Sequence, residues 1–155
     1  MLNGVASGVT DAQKAIMSKL WPGPITFVLH KNPAVPDVTT GGLDTVAVRW
    51  PSRREAAEII EAAGVPIAAP SANLSGKPSP TTFEDVAEDM DGRIDAIVKG
   101  ERTAIGIEST VLDLTSEVPT ILRPGFITKS QIEEAVDGEV QYDPSLFKKP
   151  GADDF

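Results

Sequence analysis

The sequence predicts an α/β domain built on a mixed sheet of parallel and antiparallel strands flanked by helices. Three observations predict it. Strand-type runs alternate with segments of helical period along most of the chain. Residues 65–69 form a short, wholly apolar run of the kind that is buried on both faces of a sheet. The strand candidates 109–114 and 120–122 are joined by a link too short for a crossover helix, so they are expected to pair as an antiparallel hairpin.

Each element has a local reason. Residues 11–20 carry Ala15, Ile16 and Leu20 at helical spacing, and Trp21-Pro22-Gly23-Pro24 breaks that helix, because proline lacks a donor and restricts its predecessor. Residues 25–29 read as a strand, 32–43 as a Pro- and Gly-containing loop, and 45–50 as a β-branched strand. Ser52 with Glu55 predicts a capping box opening a helix that runs through Ala56, Ile59, Ile60 and Ala63 to a stop at Gly64. After the 65–69 strand come a loop over 70–80, a helix over 83–90 and a further strand candidate at 94–98. Residues 101–108 read as a polar loop leading to the hairpin. Thr128 and Gln131 form a second capping box, starting a last helix that ends near Gly138. From Glu139 onward the composition turns to Asp, Pro, Lys and Gly without periodicity, which reads as a tail or linker. The chain opens on a helix with no strand before it, so the sheet is expected to lack its opening piece.

Bulk properties narrow the function classes. The 155 residues suffice for one domain with a substantial core. Without cysteine there is neither a disulfide framework nor a thiolate metal site, and the single histidine, His30, argues against structural zinc. No run approaches the roughly 20 apolar residues of a membrane span, and no signal pattern opens the chain; a cytoplasmic protein without a membrane partner is expected. The net charge of −9, from 14 basic and 23 acidic residues, disfavours non-specific nucleic-acid binding. It leaves room for a small anionic ligand held by one or two arginines.

Neither a Walker A sequence nor a G-x-G-x-x-G turn is present, since Gly76-Lys77 is followed by Pro78. The polar candidates lie elsewhere. Ser71, Asn73 and Ser75 cluster just past the 65–69 strand, where ligands bind in open α/β sheets, although the same residues serve any turn. Arg49 sits in an otherwise apolar strand, as either a solvent-facing side chain or a guanidinium suited to a carboxylate or phosphate. Arg123, before Pro124-Gly125, is either a rim residue or aimed at phosphates. The hydroxyls of Ser109 and Thr110 open a strand and are read as capping groups.

Taken in order, Trp21-Pro22-Gly23-Pro24-Ile25-Thr26, Gly42-Leu43-Asp44-Thr45-Val46-Ala47-Val48-Arg49, Ala69-Pro70-Ser71-Ala72-Asn73-Leu74-Ser75-Gly76, Glu108-Ser109-Thr110-Val111 and Leu122-Arg123-Pro124-Gly125 resemble the Sua5/YciO/YrdC family over residues 11–136. The resemblance implies a YrdC-like twisted mixed sheet. It also implies an L-threonylcarbamoyladenylate synthase, a nucleotidyltransferase that joins L-threonine, bicarbonate and ATP, releasing pyrophosphate, for the t6A37 modification of tRNA. By motif position it implies that Thr45, Ser71, Asn73, Ser79 and Arg123 contact ATP, and that Arg49, Ala69 and Ser109 contact threonine. Arg49, Ser71 and Arg123 position the reactants, and no covalent catalytic residue is identified. Mg2+ is expected to arrive with ATP, with no metal ligands on the protein.

The resemblance further implies that opening strands carrying a Lys-x-Arg motif precede residue 1. Residues 1–138 are then a YrdC-like catalytic domain lacking its N-terminal part, 139–155 are the start of an interdomain linker or tail, and the chain alone is expected to be a weak enzyme. Two other functions attach to the same fold. One is a non-catalytic double-stranded RNA-binding or ribosome-related module, with RNA binding expected to be weak at this charge. The other is a carbamoyl-transfer accessory domain of the hydrogenase-maturation type, which no neighbouring sequence supports.

Overall fold

A computed structural model of the chain describes residues 1–101 and 108–147. The described residues divide into two compact units, one of residues 1–66 with 108–147 and one of residues 67–101.

The first unit holds a five-stranded sheet. Its helices are α1 (Leu2–Val5), α2 (Asp11–Leu20), α3 (Arg54–Ala63) and, after the second unit, α5 (Lys129–Val136). Its strands are β1 (Ile25–His30), β2 (Thr45–Arg49), β3 (Thr110–Asp113), β4 (Thr120–Arg123) and β5 (Gln141–Tyr142), in the order β2-β1-β3-β4-β5. The β1–β2 and β3–β4 pairs are antiparallel and the β1–β3 and β4–β5 pairs parallel, so the sheet is mixed and the expected hairpin is present.

Strand alternation decides what each face does. Ile25, Phe27 and Leu29 of β1 point to one side with Leu112 of β3 and Ile121 of β4, and all five are buried with Met17 of α2 and Ile132 of α5. Fully burying side chains of this size contributes about 1.5–3 kcal/mol each, so this layer is the main stabilising term. Trp21 closes its end, with its ring edge-on to Phe27 at 5.0 Å between centroids and its indole N–H donating to Ile25 O at 3.0 Å. Two polar ties fasten the helices: Gln13 Nε2 donates to Leu114 O, and Lys19 Nζ to Ala135 O in the last turn of α5. The Trp21–Pro22 peptide is cis.

Several sequence expectations need correction. Residues 65–69 form no strand, and Val65 and Ile67 are 57% and 47% exposed. Residues 94–98 form none either, with Ile94 and Val98 exposed. Both runs have strand composition, but no strand among the described residues pairs with them, and a strand without a ladder leaves its amides to solvent. The Ser52–Glu55 capping box does not form: α3 starts at Arg54, with Arg53 at the N-cap and no side-chain cap. Its far end is as expected, with Gly64 left-handed at φ +69.

The Thr128–Gln131 box is formed, and an unforeseen one, Thr10–Gln13, opens α2. The aperiodic segment after Glu139 begins with β5, paired to β4, and Val140 is buried in the core. The expected 101–108 loop and the end of the tail lie mostly outside the described residues. No helix among the described residues is long and apolar enough to cross a membrane.

The second unit holds α4 (Phe83–Met90), capped by the Thr82 hydroxyl accepting from Asp85 N–H, and the loop that precedes it.

Candidate active site

The face of the sheet opposite the core carries four of the eight expected site residues. Pairing sets Arg49 opposite Thr26, Thr26 beside Val111 and, past a register shift in the β3–β4 pair that breaks the alternation after Ile121, Val111 opposite Arg123, so one row crosses four strands. Strand parity then puts Thr45, two pleats from Arg49 and about 13 Å along β2, on this face too. Ser109 stands two residues before Val111, at the entrance to β3. Arg49 is exposed, and its guanidinium has no partner among the described residues. Such a fork is available for a bidentate carboxylate or phosphate.

Arg123 is anchored. Its Nε and Nη2 donate to Ser109 O at 3.1 and 2.7 Å, and Nη2 also donates to Ser109 Oγ at 3.2 Å. Nη1 lies 3.4 Å from Glu108 Oε2, an exposed pair that contributes little by itself. The buried Ser109 hydroxyl is also 3.2 Å from Thr26 Oγ1. Ser109 is therefore not a simple strand cap, because it links Thr26 to Arg123 across three strands. Thr110 performs the structural task, donating its hydroxyl to Ile127 O at 2.7 Å. Asp113, on the same face, is committed to the following turn, accepting from Thr115 N and Oγ1 at 2.8 and 2.6 Å.

Gly125 makes this arrangement possible. The backbone of residues 108–110 passes so close that a Cβ here would sit 2.5 Å from Glu108 O and 2.6 Å from Ser109 C, and still closer to Thr110 N. Phe126 N–H then donates to Glu108 O at 3.3 Å. The Arg-Pro-Gly sequence at the end of β4 is thus a point where two backbones touch, which holds Ser109 beneath the Arg123 fork.

The other four residues, Ala69, Ser71, Asn73 and Ser79, lie in the second unit on the loop before α4. Ala69, Ser71 and Ser79 are exposed, and the Ser71 hydroxyl is unbonded among the described residues. Asn73 is a structural organiser, its Nδ2 donating to Leu74 O at 2.8 Å and to Lys77 O at 2.9 Å. Its Oδ1 is buried without a partner among the described residues. Asp89 of α4 completes the support, accepting from Leu74 N–H at 3.2 Å and from Lys77 Nζ at 2.6 Å. The Lys77 ammonium, followed by the Leu74 amide, holds the Asp89 carboxyl below its ordinary range, and the same contact raises Lys77. Gly76 turns the loop at φ +85, where a side chain would be strained.

Two residues with a part in these arrangements were not singled out from the sequence. Thr26 could have been found by parity, since it shares the face of Arg49. Asp89 is three residues after Val86 on an amphipathic helix, and an acid at an inward position signals a buried partner. Among the described residues no group of three or more His, Cys, Asp or Glu side chains is placed to hold a metal ion.

The family profile described as Sua5/yciO/yrdC, telomere recombination, matches residues 1–125. A threonylcarbamoyl-AMP synthase of Pyrococcus abyssi is 48% identical over 148 residues, covering 96% of this chain and 43% of that protein. The threonylcarbamoyl-AMP synthase of Bacillus subtilis is 49% identical over 146 residues, covering 94% and 42%. The crystal structure of P. abyssi Sua5 complexed with L-threonine superposes with a TM-score of 0.90 at 48% identity, over 97% of this chain and 44% of that one. The chain thus spans less than half the length of these relatives. With more than three-quarters of its residues matched by the profile and nearly all of them aligned to these relatives, the chain belongs to the Sua5/YciO/YrdC family.

Proposed function

We propose that this chain carries substrate-binding elements of an L-threonylcarbamoyladenylate synthase, which forms threonylcarbamoyl-AMP and pyrophosphate from L-threonine, bicarbonate and ATP. The observation that supports this most strongly is its similarity to the P. abyssi Sua5 complexed with L-threonine. In this reading the free Arg49 fork takes the threonine carboxylate, and Ser109 and the Ala69 backbone contact the amino acid. By motif position Thr45, Ser71, Asn73, Ser79 and Arg123 are assigned to ATP contacts. Mg2+ enters bound to the phosphate oxygens of ATP.

The chemistry asks for alignment. A carbamate oxygen formed from threonine and bicarbonate attacks the α-phosphate of ATP in line, forming the mixed anhydride as the bond to pyrophosphate breaks. A pre-oriented guanidinium such as Arg123 offsets charge without reorganising, because Ser109 O already fixes it. We further propose that the product serves the t6A machinery acting on tRNA, in the cytoplasm.

Titration calorimetry tests the binding step. Saturable binding of L-threonine, preferred over D-threonine and lost in Arg49→Ala, is expected. No threonine binding, or equal binding by Arg49→Ala, overturns the assignment.

A further inference from the structure

The loop of the second unit has no regular secondary structure between Pro70 and α4, so something other than a ladder must hold it. Three side chains do so. Asn73 ties Leu74 O to Lys77 O from inside the turn, while Asp89 reaches in from α4 and takes Leu74 N–H on one oxygen and Lys77 Nζ on the other. Lys77 N–H closes the turn by donating to Leu74 O at 3.1 Å. Asp89 is only 7% exposed. A carboxylate in that position is costly unless its partners stay in place, so it favours the one loop conformation that supplies them. The exposed, unbonded Ser71 hydroxyl is left over for a ligand, whereas Asn73 Oδ1 is buried without a partner among the described residues.

We propose that Asp89 is a positioning residue for nucleotide binding: by holding Leu74 N–H and Lys77 it fixes the 71–77 loop in its binding conformation before the nucleotide arrives. The inference rests on the reading of this loop as a nucleotide loop. A loop already ordered does not spend binding energy on being ordered, which is the usual gain from preorganisation. Asp89 touches no ligand in this account. Its effect passes through the loop backbone.

Two variants grade the contact. Asp89→Asn keeps a carbonyl oxygen for Leu74 N–H but loses the charge that holds Lys77, and Asp89→Ala loses both. Amide hydrogen exchange is measured first on the ligand-free chain. In Asp89→Ala the Leu74 amide is expected to lose protection while the α4 amides from Val86 to Met90 keep theirs, and Asp89→Asn should fall between. Calorimetry with Mg-ATP is then expected to give about tenfold weaker binding for Asp89→Ala, a smaller loss for Asp89→Asn, and unchanged L-threonine binding for both.

Unchanged protection at Leu74 overturns the clasp. Lost protection with unchanged ATP affinity overturns its role in binding. Should Asp89→Ala fail to fold, Asp89→Asn decides by the same two readouts. If the unaltered chain binds no Mg-ATP, the nucleotide reading itself fails and this inference falls with it, whereas the exchange data separately report whether the clasp exists.

Discussion

Replacing Gly125 with alanine adds one methyl group where two stretches of backbone already meet. The new Cβ would lie 2.5 Å from Glu108 O and 2.6 Å from Ser109 C, with Thr110 N nearer still. Comfortable carbon contacts are about 3.5–4.0 Å, so the two stretches must separate by about 1 Å. No flexible side chain tip is available to yield, because all three neighbours are backbone. Overpacking of this kind costs about 1–3 kcal/mol. At about 2–4 °C per kcal/mol for a chain of this size, the melting temperature should fall by about 2–12 °C. The separation also carries Ser109 away from the Arg123 fork, whose bonds of 2.7 and 3.1 Å to Ser109 O do not survive such a shift. Thermal unfolding followed by circular dichroism measures the first effect, and L-threonine calorimetry the second. A melting temperature within a degree of the unaltered chain would refute the close-approach argument.

Further outcomes follow from the same contacts. Thr110→Val keeps the shape of a fully buried side chain but leaves the partly buried Ile127 O without its partner, and is expected to destabilise by about 1–3 kcal/mol in denaturant titration. The Asp89 carboxyl is held below its ordinary range by Lys77, so its stabilising contribution is complete above the unfolded value near pH 4 and is lost as pH falls through the lower folded value. Acid titration of the Leu74 amide protection should therefore show a loss below about pH 4 that is absent in Asp89→Asn. RNA binding, if it occurs at all on a chain of net charge −9, should vanish in gel shifts at moderate salt.

Much of the fold was legible because it rests on periodicity. The strands β1 to β4 and the helices α2 to α5 fall where alternation and helical spacing put them, since each must bury one face. The residues at 65–69 and 94–98 were misread for a physical reason: β propensity describes a side chain's fit to a sheet and says nothing about whether a partner strand is present. Capping shows the same limit. Ser52–Glu55 and Thr10–Gln13 are both suitable pairs, yet only the second forms, because the backbone entering the helix decides whether the side chains can reach. The two residues of β5 are too few to show any pattern.

At the site, parity was enough to put Thr45 and Arg49 on one face. The tie between Ser109 and Arg123 needed β3 and β4 to be brought side by side, and the Asp89 clasp joins residues up to 15 apart through a loop no period describes.

The most direct test of the account is a titration of the isotopically labelled chain with L-threonine and then Mg-ATP, followed residue by residue in NMR spectra. Threonine is expected to shift resonances of Thr26, Arg49 and Ser109 on the exposed sheet face and of Ala69, and Mg-ATP to shift Thr45, Arg123 and the loop residues Ser71, Asn73 and Ser79. Shifts confined to the core-side helices α2 and α5, or no saturable shifts with either ligand, would contradict it.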